Sequence, residues 1–145
     1  MGEVLKIKYH TGITELKYIG GDQSDWIDLR CGMETRLKAG QDALIPLGVS
    51  IELPQGYEAM VVPRSSTYKY YGIIMTNSIG IIDESYKGDR DEWHFPALAM
   101  RDTVIPFNAR IAQFRIVRHQ PNLAIWTVDH LDGCDRGGLG STGTE

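Results

Sequence analysis

Residues 45–62 decide the fold class: Ile45-Pro46-Leu47-Gly48-Val49-Ser50-Ile51-Glu52-Leu53, then Pro54-Gln55-Gly56, then Tyr57-Glu58-Ala59-Met60-Val61-Val62. Apolar side chains recur at every second position from Ile45 to Leu53, the period of a strand with one buried face. Pro-Gln-Gly is a turn sequence, and Tyr57 to Val62 continues as a second strand. The same period runs outward on both sides. Leu5, Ile7 and Tyr9 alternate with Lys6 and Lys8, and Ala112, Phe114 and Ile116 alternate with Gln113, Arg115 and Val117. Ile73 to Asn77 and Ile79 to Ile82 are expected to be the arms of a hairpin, and Leu123 to Val128 a last strand. One short helix is expected after Pro63-Arg64. It is capped by Ser65 or Ser66, runs through Tyr68 to Tyr71 and is ended by Gly72. Pro46, Pro106 and Pro121 stand at strand edges or starts, where a missing N–H is tolerated. Short strands with turn signals every 8–12 residues or so predict an all-β sandwich or barrel.

The chain of 145 residues is long enough for one core and too short for two. The expected division is a β domain over 1–132 and a glycine-rich tail over 133–145. No apolar run approaches the ~20 residues of a membrane helix, and Met1 to Lys8 alternates rather than forming a signal-peptide core. No membrane association is expected. Fifteen Lys and Arg against nineteen Asp and Glu leave a net charge of −4, which argues against broad binding of nucleic acid. Cys31 and Cys134 make neither a disulfide framework nor a zinc site and fit a reducing cytoplasm.

Five stretches carry residue types suited to chemistry. In Asp25-Trp26-Ile27-Asp28-Leu29-Arg30, Asp28 lies between apolar neighbours and reads equally as a turn residue or a ligand. In Pro63-Arg64-Ser65-Ser66, a guanidinium precedes two hydroxyls at a helix start, where free N–H groups favour an anion. The plainer reading there is an N-cap. The third stretch runs from Asn77 to Asp89 and includes Gly80, Ile82, Asp83 and Tyr86. A carboxylate directly after an apolar arm can orient a water or a sugar hydroxyl, and Tyr86 can lay its ring on a ligand. The fourth is Arg110-Ile111-Ala112-Gln113. Strand alternation places 110 and 112 on one face and 111 and 113 on the other, so Arg110 and Gln113 are not expected in one pocket. The fifth, Arg136 to Gly143, joins glycine-rich backbone to an Arg and to the hydroxyls of Ser141 and Thr142, a phosphate-cradling composition. Its plainer reading is a frayed end.

In their order and spacing these five stretches resemble the motifs of the trimeric dUTP diphosphatase (dUTPase) family, in a branch found in Gram-positive bacteria and their phages. The resemblance runs from Asp25 to Gly143. It implies a distorted, jelly-roll-type β-barrel with one short helix and a flexible C-terminal tail. It implies hydrolysis of dUTP to dUMP and pyrophosphate by in-line attack of water on the α-phosphorus. That activity limits uracil in DNA and supplies dUMP for thymidylate synthesis. By the same resemblance, Asp83 orients the water and Tyr86 packs on the deoxyribose to exclude a 2′-hydroxyl. The backbone from Asn77 to Ile82, Gly80 included, reads uracil. Arg64, Ser65, Ser66 and Gln113 hold the phosphates, with Mg²⁺ chelated by the triphosphate and touched by Asp28 through water. Arg136, Ser141 and Thr142 close over the phosphates, and a homotrimer shares its sites between subunits.

Two departures stand out. The fifth motif is two residues shorter than the common form, with Leu139 where a uracil-stacking Phe usually sits. An extra stretch, Arg90-Asp91-Glu92, follows the third motif just before Trp93-His94-Phe95. His94 or Trp93 is therefore expected to take over uracil stacking, while Phe95 reads as core. Lys87 and Asp89 replace the commoner Arg and Glu. Three other readings compete. A dCTP deaminase shares the fold, but it needs a Glu base on the strand after the third motif, and Trp93 to Met100 contains no acid. For a nucleotide-binding regulatory protein of the same fold, retention of Asp83, Tyr86, Arg64 and Arg136 argues against a catalytically dead chain and leaves room for a second, protein-binding role. A generic β-sandwich leaves the five ordered motifs unexplained.

Overall fold

In the computed structural model, residues 2–138 are described. In chain order the elements are β1 (Lys6–Tyr9), β2 (Ile27–Arg30), β3 (Thr35–Leu37), β4 (Asp42–Pro46), β5 (Val49–Glu52), β6 (Tyr57–Pro63), α1 (Thr67–Tyr71), β7 (Ile73–Met75), β8 (Gly80–Ile82), β9 (His94–Ala99), β10 (Thr103–Ile105) and β11 (Arg110–Arg118). Every pairing is antiparallel. A four-stranded sheet has the order β2-β11-β6-β8, and a three-stranded sheet the order β4-β9-β7. Two further pairs, β1-β5 and β10-β3, complete the set. The all-β class with one short helix holds, as a jelly-roll-like arrangement of separate sheets in which no single sheet closes into a barrel. The inward side chains meet in one core around Trp93, Phe95, Phe114, Leu29, Ile45 and Ile111.

Three strand expectations are corrected. The run from Ile45 to Leu53 is two strands rather than one. Gly48 breaks it at φ +74°, where an L side chain is strained and an added Cβ would stand 2.8 Å from Thr11 Oγ1. The corner sends β4 to pair with β9 and β5 to pair with β1. The expected hairpin is not one either. β7 pairs with β9 and β8 with β6, so the turn between them crosses from one sheet to another. Ser78, at φ +63°, makes that crossing. Leu123 to Val128 is not a strand. It runs over the outside with Ile125 93% and Trp126 83% exposed. A strand needs a neighbour's backbone groups, and among the described residues that segment pairs with none.

The helix begins one residue early, and its cap differs from expectation. Ser66 occupies the N-cap position but makes no side-chain cap bond. The buried Thr67 does the equivalent work. Its Oγ1 accepts from the Arg64 N–H at 2.9 Å and donates to the Ile111 carbonyl at 2.8 Å. This bond ties the Pro63-Arg64 corner to β11. Gly72 ends the helix in the left-handed conformation, as expected.

Candidate active site

The first, second and fourth motifs meet on the outer face of the four-stranded sheet. Asp28 of β2 and Gln113 of β11 are cross-strand partners, and Val62 of β6 lies on the other side of Gln113. Arg64 follows the end of β6. Its Nε donates to Asp28 Oδ1 at 3.1 Å, while Arg110 Nη1 donates to Asp28 Oδ2 at 3.3 Å. Gln113 Nε2 donates to the Pro63 carbonyl at 3.3 Å. Asp28 thus holds two guanidiniums side by side across a cleft of about 420 Å³.

Arg110 and Gln113 both line this cleft, contrary to the alternation argument. The reason is a β-bulge: the register against β2 shifts between Arg110 and Ala112. Ile111 and Ala112 are both fully buried, so the residues before and after them face outward together. Two adjacent apolar residues inside an otherwise alternating strand were the sequence signal for this bulge. Lys17 and Arg30 add two more cations to the cleft, against the carboxylates of Glu15 and Asp28. An acidic chain has concentrated an excess of positive charge at one place. Ser65 lines the cleft, and Ser66 beside it stands at the N-cap position with no side-chain cap bond.

The third motif lies elsewhere in the same chain. Gly80 pairs with Val61 and Ile82 with Ala59, so Asp83 leaves β8 beside Glu58 and shares a second cleft with it. Asn77 sits at the base, its Nδ2 3.7 Å from where a Gly80 Cβ would stand. Glu58 is the second residue of β6 and Arg64 follows its last, so about 20 Å of extended strand separates Asp83 from the cationic cleft. The Ser85 hydroxyl and the Ser85 N–H both donate to Asp83 Oδ2, and they hold this carboxyl below the usual Asp value.

His119 lies in the same cleft. Its Nδ1 meets the Gln120 carbonyl at 2.8 Å and its Nε2 meets Glu84 Oε1 at 3.1 Å. Both partners are acceptors, an arrangement that favours the protonated ring. The Gln120 carbonyl and then Glu84 raise the imidazole above its ordinary pKa.

Tyr86 is half-exposed, with its N–H on the Asp83 carbonyl and its hydroxyl on the Glu92 carbonyl at 3.1 Å. His94 is partly exposed and its Nδ1 meets the same Glu92 carbonyl at 2.9 Å. Trp93 is removed as a stacking residue. It is 1% exposed and packs edge-on against Phe114, with ring centroids 5.0 Å apart. Alternation along β9 sends 93, 95, 97 and 99 inward, and His94 is the member of the pair left outside. Arg136 is exposed, while Leu139, Ser141 and Thr142 lie outside the described residues.

Among the described residues no three His, Cys, Asp or Glu groups converge. Both oxygens of Asp28 already accept from arginines. This donor set suits a cation carried in by phosphates, which supply most of its ligands, rather than a cage built by side chains. No helix among the described residues is long and apolar enough to cross a membrane.

Comparison with known proteins places this geometry in context. A family model described as dUTPase matches residues 25–144. The chain is 55% identical over 141 residues to the SPbeta prophage-derived deoxyuridine 5'-triphosphate nucleotidohydrolase YosS of Bacillus subtilis strain 168, covering 97% of this chain and 99% of that protein. It is 36% identical over 126 residues to a deoxyuridine 5'-triphosphate nucleotidohydrolase of Neorickettsia sennetsu, covering 84% and 83%. Among solved structures, a Staphylococcus bacteriophage 80alpha dUTPase with dUPNHPP superposes with a TM-score of 0.79 at 17% identity, covering 97% of this chain and 98% of that one. The Streptococcus mutans dUTPase superposes at 0.71 and 21% identity, covering 81% and 98%. At these identities the two structures speak to the fold alone.

Proposed function

The chain belongs to the dUTPase family, and from that premise we propose how its residues divide the work of hydrolysing dUTP to dUMP and pyrophosphate. Asp83, kept ionised by the two Ser85 donors, orients the attacking water and accepts its hydrogen bond. The water oxygen bonds to the α-phosphorus as the bond to the bridging oxygen breaks, and pyrophosphate leaves in line. Arg64, Arg110, Ser65 and Gln113 take the phosphates, and their charge opposes the negative charge building on the leaving group. Mg²⁺, held by the triphosphate with Asp28 in reach through water, supplies further charge neutralisation when bound. Asn77 and the backbone of Gly80 to Ile82 present fixed donors and acceptors to uracil, and Tyr86 packs on the deoxyribose. Arg136, Ser141 and Thr142 close over the phosphates. Ser66, whose hydroxyl makes no cap bond, joins Ser65 on the phosphates.

The single observation that carries this assignment is the cationic cleft. The first, second and fourth motifs, scattered over more than eighty residues, converge on one carboxylate and two guanidiniums. Asp83 lies about 20 Å from that cleft within one chain. A water held by Asp83 must stand about 3 Å from phosphorus. A complete site therefore takes Asp83 from one copy and Arg64 from another, and a homotrimer with shared sites meets that need. The exposed apolar segment from Leu123 to Leu131 is surface for such an assembly. Cys31 and Cys134 are both free, which favours the cytoplasm as the working compartment.

The test is an incubation with dUTP, dCTP, dTTP and UTP in turn with Mg²⁺, scoring pyrophosphate and ammonia. Pyrophosphate from dUTP alone is expected. Ammonia from dCTP would replace this reading with a deaminase.

A further inference from the structure

The stretch Arg90-Asp91-Glu92 is not absorbed by any role assigned so far. It closes a turn: the Gly88 N–H donates to Asp91 Oδ2 at 2.8 Å and the Asp91 N–H to the Gly88 carbonyl at 3.1 Å. The turn delivers Glu92 to the Gly48 corner. There its Oε2 accepts the Gly48 N–H at 3.0 Å. The next residue is anchored to the same corner, with the Trp93 N–H on the Val49 carbonyl and the Leu47 N–H on the Trp93 carbonyl, both at 2.9 Å. The Glu92 peptide is therefore fixed from its side chain and from its neighbour. Its carbonyl is the acceptor that takes the Tyr86 hydroxyl and His94 Nδ1 together.

We infer that Glu92 is a positioning residue for sugar discrimination, acting through Tyr86. The inference rests on the reading of Tyr86 as the ring that packs on deoxyribose. Tyr86 is held at both ends, by its N–H on the Asp83 carbonyl and by its hydroxyl on the Glu92 carbonyl. A ring tethered only at its backbone swings on two side-chain torsions and yields to an added 2′-hydroxyl. Apolar pockets reject an added hydroxyl only weakly, by about a hundredfold at best. A ring pinned at its far end is a wall, and the rejection it gives depends on the pin. Glu92 supplies the pin, and its carboxylate keeps the pin in place by gripping the amide of Gly48 at the corner.

The experiment compares kcat/KM for dUTP and UTP in four variants. Glu92→Ala frees the Gly48 amide and loosens the carbonyl, and Tyr86→Phe removes the hydroxyl while keeping the ring. Each should lower the dUTP-to-UTP preference by about tenfold. Glu92→Gln keeps an acceptor for Gly48 and should restore most of it. Tyr86→Ala tests the underlying reading. An unchanged preference in Tyr86→Ala would overturn that reading and the inference with it. A fall in Tyr86→Ala with no change in Glu92→Ala and Tyr86→Phe would overturn the inference and leave the reading standing. Should Glu92→Ala fail to fold, Glu92→Asp, whose shorter stem withdraws the carboxylate from the Gly48 amide, takes its place beside Tyr86→Phe, and an unchanged preference in either overturns the inference.

Discussion

Mixing two inactive variants should regenerate activity. Asp83→Ala removes the carboxylate that orients water, and Arg64→Ala removes a guanidinium from the phosphate cleft. Neither change should unfold the chain. Asp83 is exposed, and the Arg64–Asp28 pair is partly open to solvent, so its loss costs about 1 kcal/mol or less. About 20 Å of extended strand separates the two positions, and on the proposed division of the site one molecule's Arg64 serves another molecule's Asp83. In a closed ring each site pairs a subunit with its neighbour. A site works only when the Arg64 donor is an Asp83→Ala chain and the Asp83 donor is an Arg64→Ala chain. Random reassembly of equal amounts therefore restores about one quarter of the sites. The assay is pyrophosphate release from dUTP after the two variants are unfolded together and refolded, against each refolded alone. Activity no greater than the sum of the separate variants would refute the divided site.

Three other outcomes follow from individual contacts. Ser85→Ala removes the largest of the influences holding Asp83 below its ordinary value, so the acid limb of kcat should move to higher pH; an unmoved limb would separate Asp83 from that limb. Thr67→Val strands the Arg64 N–H and the Ile111 carbonyl in a buried place, at about 2 kcal/mol. For a chain of this length that is a fall in Tm of roughly 4–8 °C, readable by calorimetry. His119 is raised in the folded chain, so its contribution to stability is complete below its ordinary value of 6.5 and is lost as pH rises through the raised one. Denaturant titrations should show that decline in the native chain and not in His119→Asn. Parallel pH profiles would remove the doubly bonded imidazolium.

The sequence and the fold agree where periodicity alone decides. Tyr57 to Val62, Leu5 to Tyr9 and the core half of β11 form the strands their alternation predicts. The departures come from pairing, which alternation does not encode. Ile45 to Leu53 keeps its period through Gly48 because the corner reverses the chain without disturbing which residues are apolar. Ile73 to Ile82 has the composition of a hairpin, yet its arms find better neighbours in β9 and β6. For the site, the five motifs were legible from residue type and order. The facing of Arg110 was not, since the bulge changes it by one residue. Trp93 and His94 stand next to each other and could be told apart only by the phase of β9. Thr67 and Glu92 were invisible because each acts through a backbone group of another residue.

The bulge between Arg110 and Ala112 makes chain length itself a carrier of function. β11 lies between β2 and β6, so no edge of the sheet can absorb a slip there. Deleting one residue at this point would leave every amino acid type downstream intact. It would still turn Arg110 toward the space Ile111 fills and withdraw a guanidinium from Asp28. The turn from Gly88 to Asp91 is the opposite case for pairing: it lies between strands, and a change of length there leaves both sheets paired while it moves Glu92 and the Asp89 contacts to Ser50 and Lys8. Tolerance to insertion and deletion should therefore differ sharply between two places only about twenty residues apart in sequence, following strand register rather than exposure.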